Sequence, residues 1–238
     1  MSPVSKILLP GLGKQLDFLR KNSSIQAKQA LVIGSGSEKL AKDLAKQYSC
    51  DVDLIVEDYE SLMSSNLILG DDSKVKASLM NFEITDFDAG FFDLIYAQAS
   101  VSLTNRNKII KEIKRILKPG GYFCVGEIVS LKKEVPKFIT DIFDSSNLLP
   151  LFIDDLQRYY EERKFSIVEI QNLSDTLEDY YSQTVSLLKG TKENLSDREK
   201  SYYKKLLNKV SHESNVYLKL GGDKYIGFVS MLLQKGES

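Results

Sequence analysis

Residues 30–57 read ALVIGSGSEKLAKDLAKQYSCDVDLIVE. An apolar run, Ala30-Leu31-Val32-Ile33, breaks at Gly34-Ser35-Gly36; a helical pattern follows, and a second apolar run over 52–56 ends at Glu57. The two short runs suit buried parallel strands. Between them Leu40, Ala41, Leu44, Ala45 and Tyr48 recur at the spacing of one helix face, so the stretch reads as strand, crossover helix, strand. Gly34 and Gly36 let the backbone turn sharply and approach a ligand with no Cβ in the way. The helix opening near Ser37 directs unpaired N–H groups at the same place, and Glu57 ends the second strand where it can accept hydrogen bonds from ribose hydroxyls. Together these parts describe a nucleotide site.

Outward from this unit the same alternation continues. Strands are expected at 75–79, 92–97 and 122–129, and Ile109, Ile110, Ile113, Ile116 and Leu117 give a further helix an apolar stripe. Lys118-Pro119-Gly120-Gly121 is expected to end that helix and turn the chain into the fifth strand, since proline cannot continue a helix and glycine tolerates positive φ. The second half is richer in Lys, Glu and Tyr, with two further strand signals at 165–170 and 225–233. Roughly fifty residues part those two strands, too many for a plain connection, so they should carry helices of their own. The expected fold class is α/β: a Rossmann-like, seven-stranded, mostly parallel sheet with a C-terminal antiparallel pair and a helical cap. One domain is expected over 1–238, with cap segments at about 131–154 and 174–222.

The chain has 238 residues, with 32 basic against 33 acidic side chains. That balance supplies no bulk attraction to nucleic acid or an anionic membrane and favours a small-molecule ligand. The Lys-rich stretch 108–118 alternates with isoleucine, which makes it an amphipathic helix with a solvated face. Cys50 and Cys124 are too few for a disulfide framework and lack metal-ligand spacing, so both are expected to be buried thiols in a reducing compartment, and no metal site is expected. The short apolar run at 7–9 before Pro10 does not make a signal segment, and a cytoplasmic protein without a membrane span is expected.

A dinucleotide fingerprint requires a third glycine three residues after Gly36, where Lys39 stands, and the Walker phosphate pattern is absent. The loop better suits a nucleoside with a short charged tail such as S-adenosylmethionine. With Asn81-Phe82 after the third strand, Phe92-Asp93 opening the fourth, and Glu112-Ile113-Lys114-Arg115-Ile116-Leu117-Lys118-Pro119-Gly120-Gly121 behind them, the chain resembles the class I, Rossmann-like S-adenosylmethionine-dependent methyltransferases, particularly the small-molecule branch that includes quinone-biosynthesis enzymes. Leu9-Pro10-Gly11-Leu12-Gly13 is similar to a Pro-Gly segment that precedes the first strand in some members. The resemblance implies S-adenosylmethionine as cofactor, held by Gly34, Ser35 and Gly36 at its methionine part, Glu57 with Asp58 at the ribose, and Asn81 and Phe82 at the adenine. Ala97 is placed with them, and Tyr96 and Gln98 are expected to line the acceptor side.

The sequence also departs from the family pattern. An acid often stands two residues before the first loop glycine, and here that position is Val32; Ser37 replaces a third small loop glycine, and Asn81 a frequent Asp. Methyl transfer is an in-line displacement served by orientation and desolvation, so no obligatory catalytic motif is needed. Where a proton must leave, Glu127 is the first candidate base, because it lies near the C-terminal end of the fifth strand; the alternative is a carboxylate that organises a loop or binds a substrate hydroxyl. His212, the one histidine, is expected to be a solvent-facing or capping residue. The tyrosine pairs 159–160, 180–181 and 202–203 suit either an acceptor pocket, even one for a cation, or ordinary packing. The expected function is methyl transfer to a small-molecule acceptor; the alternative is a non-catalytic binding or regulatory subunit that keeps the fold.

Overall fold

The structure, a computed structural model, describes residues 9–22, 25–71, 74–190 and 210–237, with side chains omitted at 187–190. Five strands form the parallel part of one sheet: β1 (Gln29–Ile33), β2 (Asp51–Val56), β3 (Val75–Leu79), β4 (Phe92–Gln98) and β5 (Leu117–Ser130). A two-residue strand β6 (Leu151–Phe152) adds to the end of β5, and β7 (Phe165–Asn172) and β8 (Ile226–Lys235) complete the order β3-β2-β1-β4-β5-β8-β7. The pairs β5 with β8 and β8 with β7 are antiparallel, as expected; β6 is the one strand that the sequence did not announce, being too short to show a period.

Both faces of the sheet are covered, which explains why the central strands are apolar at consecutive positions instead of alternating. On one face Val32, Leu54, Tyr96 and Cys124 meet α1 (Lys14–Asn22) and α2 (Glu38–Tyr48) through Leu16, Leu19, Ala41 and Leu44. On the other, Leu31, Ile95, Phe123 and Val125 meet α4 (Arg106–Ile116) through the predicted isoleucine stripe, together with Leu156 and Tyr160 of α6 (Leu156–Glu162). Each such side chain, fully buried, contributes about 1.5–3 kcal/mol from removed apolar surface. Between β2 and β3 runs α3 (Tyr59–Leu69), and a third apolar cluster joins α5 (Lys137–Ser145), the start of α7 (Thr176–Gly190) and a helix over 210–219 to Ile128, Ile226 and Phe228. These are the helices expected for the cap; the part of it at 191–209, with Tyr202 and Tyr203, lies outside the described residues.

Two family-like motifs turn out to be fasteners. Asp93 accepts hydrogen bonds from the backbone N–H groups of Lys28 and Gln29 at 2.9 and 3.0 Å and from Lys118 Nζ at 2.6 Å, so it ties the starts of β1, β4 and β5 together. Desolvation raises its carboxyl, but Lys118 and the two N–H groups outweigh it and hold Asp93 below the usual range. Pro119, Gly120 and Gly121 do not form a separate turn: β5 already begins at Leu117, and the register passes from Phe92 opposite Leu117 to Leu94 opposite Tyr122, so the Pro-Gly-Gly run is a bulge within the strand. Only Gly120 has a left-handed backbone, at φ 71°.

Candidate active site

A cavity of about 770 Å³ opens where β1 to β4 end, beside the point at which the strand order reverses between β1 and β4. Open α/β sheets place ligands at this position because the loops from neighbouring strands diverge there. One wall consists of Gly34 and Ser35 after β1, Glu57 after β2, and Asn81 and Phe82 after β3. Gln98, Ala99 and Ser100 continue it from β4.

The wall is shaped by close backbone approach. Gly34 has φ 113°, its N–H donates to Ile55 O at 3.0 Å, and a Cβ on it would stand 2.7 Å from Cβ of Ser100. Ser100 is itself fixed there, its hydroxyl donating to Ile33 O at 2.7 Å. Ser35 Oγ donates to Glu57 Oε2 at 3.1 Å, which links the β1 loop to the acid ending β2. Asn81 Oδ1 accepts the Glu83 N–H at 2.8 Å, a side-chain turn that sets the loop after β3. Below that loop the Glu112 carboxylate accepts from the Thr85 N–H and hydroxyl at 2.8 and 2.6 Å and from both Arg115 Nε and its terminal nitrogen, while Arg115 also donates to Phe87 O at 2.8 Å. Desolvation opposes ionisation of Glu112, but Arg115 and Thr85 prevail and hold its carboxyl at about 2. The Glu-Ile-Lys-Arg signature therefore serves the site from outside it, by holding the loop that carries Asn81 and Phe82.

Several expected residues stand elsewhere. Asp58 caps α3, accepting the Ser61 N–H at 2.8 Å, and Gly36, at φ 78°, turns the loop without reaching the cavity wall. Ala97 is wholly buried, with its carbonyl accepting from Gln15 Nε2 at 3.0 Å. Tyr96 is also wholly buried and faces the α1 and α2 layer, in register with Val32 and Cys124, so it is not an acceptor-lining residue. Its hydroxyl donates to Gln98 Oε1 at 2.9 Å. Gln98 does line the cavity, and its Nε2 donates to Pro10 O at 2.6 Å and Leu12 O at 2.9 Å, which draws the Pro-Gly segment against the site so that Pro10 forms part of its wall.

Glu127 is fully buried and outside the cavity wall. It accepts from Ser102 Oγ, from Arg106 at 3.3 Å and from Tyr160 OH at 2.5 Å, and Ser102 Oγ in turn accepts the Ile128 N–H at 2.9 Å. Alternation along β5 explains this: Ile128 points into the cavity, so its neighbour points away. The geometry is that of a loop organiser, holding residues 99–106 beneath the site, and it gives Glu127 no contact with a reacting group. His212 is exposed and lies outside the cavity wall, and Cys50 and Cys124 are buried free thiols. Among the described residues no cluster of His, Cys, Asp or Glu is arranged to hold a metal ion, and no helix is long and apolar enough to cross a membrane.

The opposite wall comes from the cap: Phe143 of α5, Ser146, Tyr180 and Tyr181 of α7, and Glu213. Ser146 Oγ donates to Glu213 Oε1 at 2.5 Å. Burial first, and then Glu213, push the Tyr180 and Tyr181 phenols up, so both stay protonated at neutral pH. Of the tyrosine pairs, this one meets the cavity, while Tyr160 belongs to the Glu127 network. Ala99, with φ 57°, and Glu213 escaped the sequence reading, because neither stands in a motif; only the loop after β4 hinted at the former.

The sheet-edge wall fits S-adenosylmethionine: a glycine cradle that a Cβ would fill, an acid at Glu57, an amide beside the Phe82 ring, and room for a nucleoside with an amino-acid tail. Val32 is buried in the core, so it supplies no polar contact. Residues 31–125 match a family described as methyltransferase domain. No curated protein sequence matches the chain significantly. Among solved structures, a Galdieria sulphuraria protein assigned as a sarcosine dimethylglycine methyltransferase aligns at TM-score 0.73 and 17% identity, over 94% of this chain and 84% of its own. A phosphoethanolamine N-methyltransferase from Haemonchus contortus, solved with phosphomonomethylethanolamine and S-adenosylhomocysteine, aligns at TM-score 0.76 and 14% identity over 98% of this chain and 55% of its own. The cyclase SpnF aligns at 0.73 and 17%, over 94% and 81%, so the architecture also occurs in a protein named for another reaction. Residues 31–125 thus match a methyltransferase domain, and the strand order and the cradle after β1 give the chain the class I, Rossmann-like fold of the S-adenosylmethionine-dependent methyltransferases.

Proposed function

We propose that the protein transfers a methyl group from S-adenosylmethionine to a small-molecule acceptor in the cytoplasm, as one folded unit. The observation that carries this reading is the two-sided cavity: a sheet-edge wall built for a nucleoside, facing a largely apolar cap wall. In this reading Gly34 and Ser35 hold the methionine part, Glu57 the ribose, and Asn81 and Phe82 the adenine, while the acceptor enters from the cap side past Tyr180 and Tyr181. The sulfonium supplies an activated methyl group. The chain orients the two partners and excludes water, and an acceptor oxygen or nitrogen then attacks in line. Gln98 acts by position, keeping Pro10 and the segment around it against the cavity.

A second reading is a cofactor-binding subunit without turnover. Val32 favours it, because the buried valine removes a polar contact that related enzymes often have. Titration calorimetry on the full chain tests the first requirement of both: S-adenosylmethionine and its demethylated product should each bind at one site. Label transfer from methyl-labelled cofactor to small acceptors then separates the readings.

A further inference from the structure

We propose that Tyr96 is a positioning residue of the cofactor site: through Gln98 it holds the turn over 9–12 as a fixed wall of the cavity and so tightens cofactor binding, a role that rests on the S-adenosylmethionine reading. Leu9 and Pro10 line the cavity together with Gly34, Ser35 and Gln98. The Leu12 N–H donates to Leu9 O at 2.9 Å, Pro10 and Gly11 stand in the middle, and Gly11 has φ 85°, the pattern of a type II turn. Leu12 follows with φ 49°, a left-handed backbone that a leucine keeps only where its surroundings hold it. The turn is seated closely, since a Cβ on Gly11 would run into the Phe228 ring.

One amide holds this turn to β4. Gln98 Nε2 carries two hydrogens and donates to Pro10 O at 2.6 Å and to Leu12 O at 2.9 Å. Carbonyl oxygens cannot donate, so these two bonds fix which way the amide faces and leave Oε1 to find a donor on the other side. Two residues back on the same face of the strand, the Tyr96 hydroxyl donates to it at 2.9 Å. Tyr96 is fully buried and Gln98 is 3% exposed, so little water reaches either group. Burial pushes the Tyr96 phenol well above its ordinary range, and it stays a donor at neutral pH. The bonds therefore run in one direction, from Tyr96 through Gln98 to the carbonyls on either side of Gly11. Tyr96 lies outside the cavity and yet fixes part of its wall. Removing its hydroxyl leaves Gln98 Oε1 buried without a donor, and the amide is then free to swing away from the turn.

Hydrogen exchange followed by mass spectrometry on the full unliganded chain, with calorimetric titration of S-adenosylhomocysteine, tests this on Tyr96→Phe, Gln98→Met and the double variant. Tyr96→Phe should speed exchange in peptides covering 9–14 about tenfold while β1 and β2 keep their rates, and should weaken S-adenosylhomocysteine about tenfold. Because the tyrosine acts only through the amide, the double variant should bind no more weakly than Gln98→Met alone. Natural exchange rates over 9–14 or natural affinity in Tyr96→Phe would overturn the proposal, as would losses that add in the double variant, which would mark Tyr96 as core packing. Should Tyr96→Phe not fold, Gln98→Met decides: faster exchange over 9–14 supports the latch, and exchange equal to that of the natural chain overturns it. Failure of S-adenosylhomocysteine to bind the natural chain removes the methyl-transfer reading instead, and exchange in the unliganded chain still decides whether Tyr96 and Gln98 hold the turn.

Discussion

The two walls of the cavity are built in different ways. The sheet-edge wall consists of short loops, each fixed within a few residues of a strand end: Ser100 on Ile33, Ser35 on Glu57, Asn81 on Glu83. The cap wall is joined from helix to helix, as where Ser146 at the end of α5 meets Glu213 of the 210–219 helix. Fixing at strand ends ties one wall to the sheet itself. Assembly from helices lets the other wall change residue by residue without disturbing the first. A constant cofactor with variable acceptors calls for that division.

The contrast is most vulnerable beneath the sheet-edge wall, at the Glu127 network. Arg106 and Glu127 are 4% and 0% exposed at their side chains, so Arg106→Met strands a buried carboxylate and should cost about 3–5 kcal/mol in urea unfolding. The double variant Arg106→Met with Glu127→Leu should recover much of that loss, since an apolar pair leaves no uncompensated charge. A single variant as stable as the natural chain would show that the loop over 99–106 stands without the pair.

Gly34→Ala addresses the wall itself. The added methyl meets Ser100 at 2.7 Å in a backbone at φ 113°, and pushing the two loops apart should weaken S-adenosylhomocysteine binding about 100-fold, or about 2.7 kcal/mol, by calorimetry. Unchanged affinity would show that the close approach of Gly34 and Ser100 does not shape the ligand wall.

The smallest effect concerns the Glu112–Arg115 fastener. The folded-state carboxyl lies at about 2, below its ordinary 4.5, so its contribution is complete above pH 4.5 and is lost as pH falls toward 2. Arg115 is partly exposed, so screening limits the pair, and Arg115→Met should cost about 1–2 kcal/mol at neutral pH. The gap between variant and natural chain should narrow as pH drops through that window. A gap that stays constant would mean that Arg115 acts by packing and not by charge.

The sequence carried the sheet-edge wall well because its chemistry is local. Gly34, Glu57 and Asn81 each sit at a strand end that apolar runs reveal, and Lys39 excluded the dinucleotide pattern within the same helix. The errors came from side-chain alternation. Tyr96 and Glu127 were placed at the correct ends of the correct strands, but Tyr96 packs into the α1 and α2 layer and Glu127 turns to the opposite face, against Tyr160, so neither reaches the cavity; which face a residue takes is invisible where both faces are apolar. Asp58 was misread because a helix cap and a ribose-binding acid look alike beside a strand end. The cap wall was legible only as helices: nothing in the order of residues joins Glu213 to Ser146, a contact that exists only after α5 and the 210–219 helix pack together.

Competitive titration of the full chain with S-adenosylhomocysteine and with NAD tests the central claim most directly. Binding of S-adenosylhomocysteine at one site, weakened by Gly34→Ala and without measurable heat from NAD, is the predicted result. Binding of NAD in its place, or of neither ligand to the folded chain, would contradict the assignment of the wall around Gly34, Glu57 and Asn81.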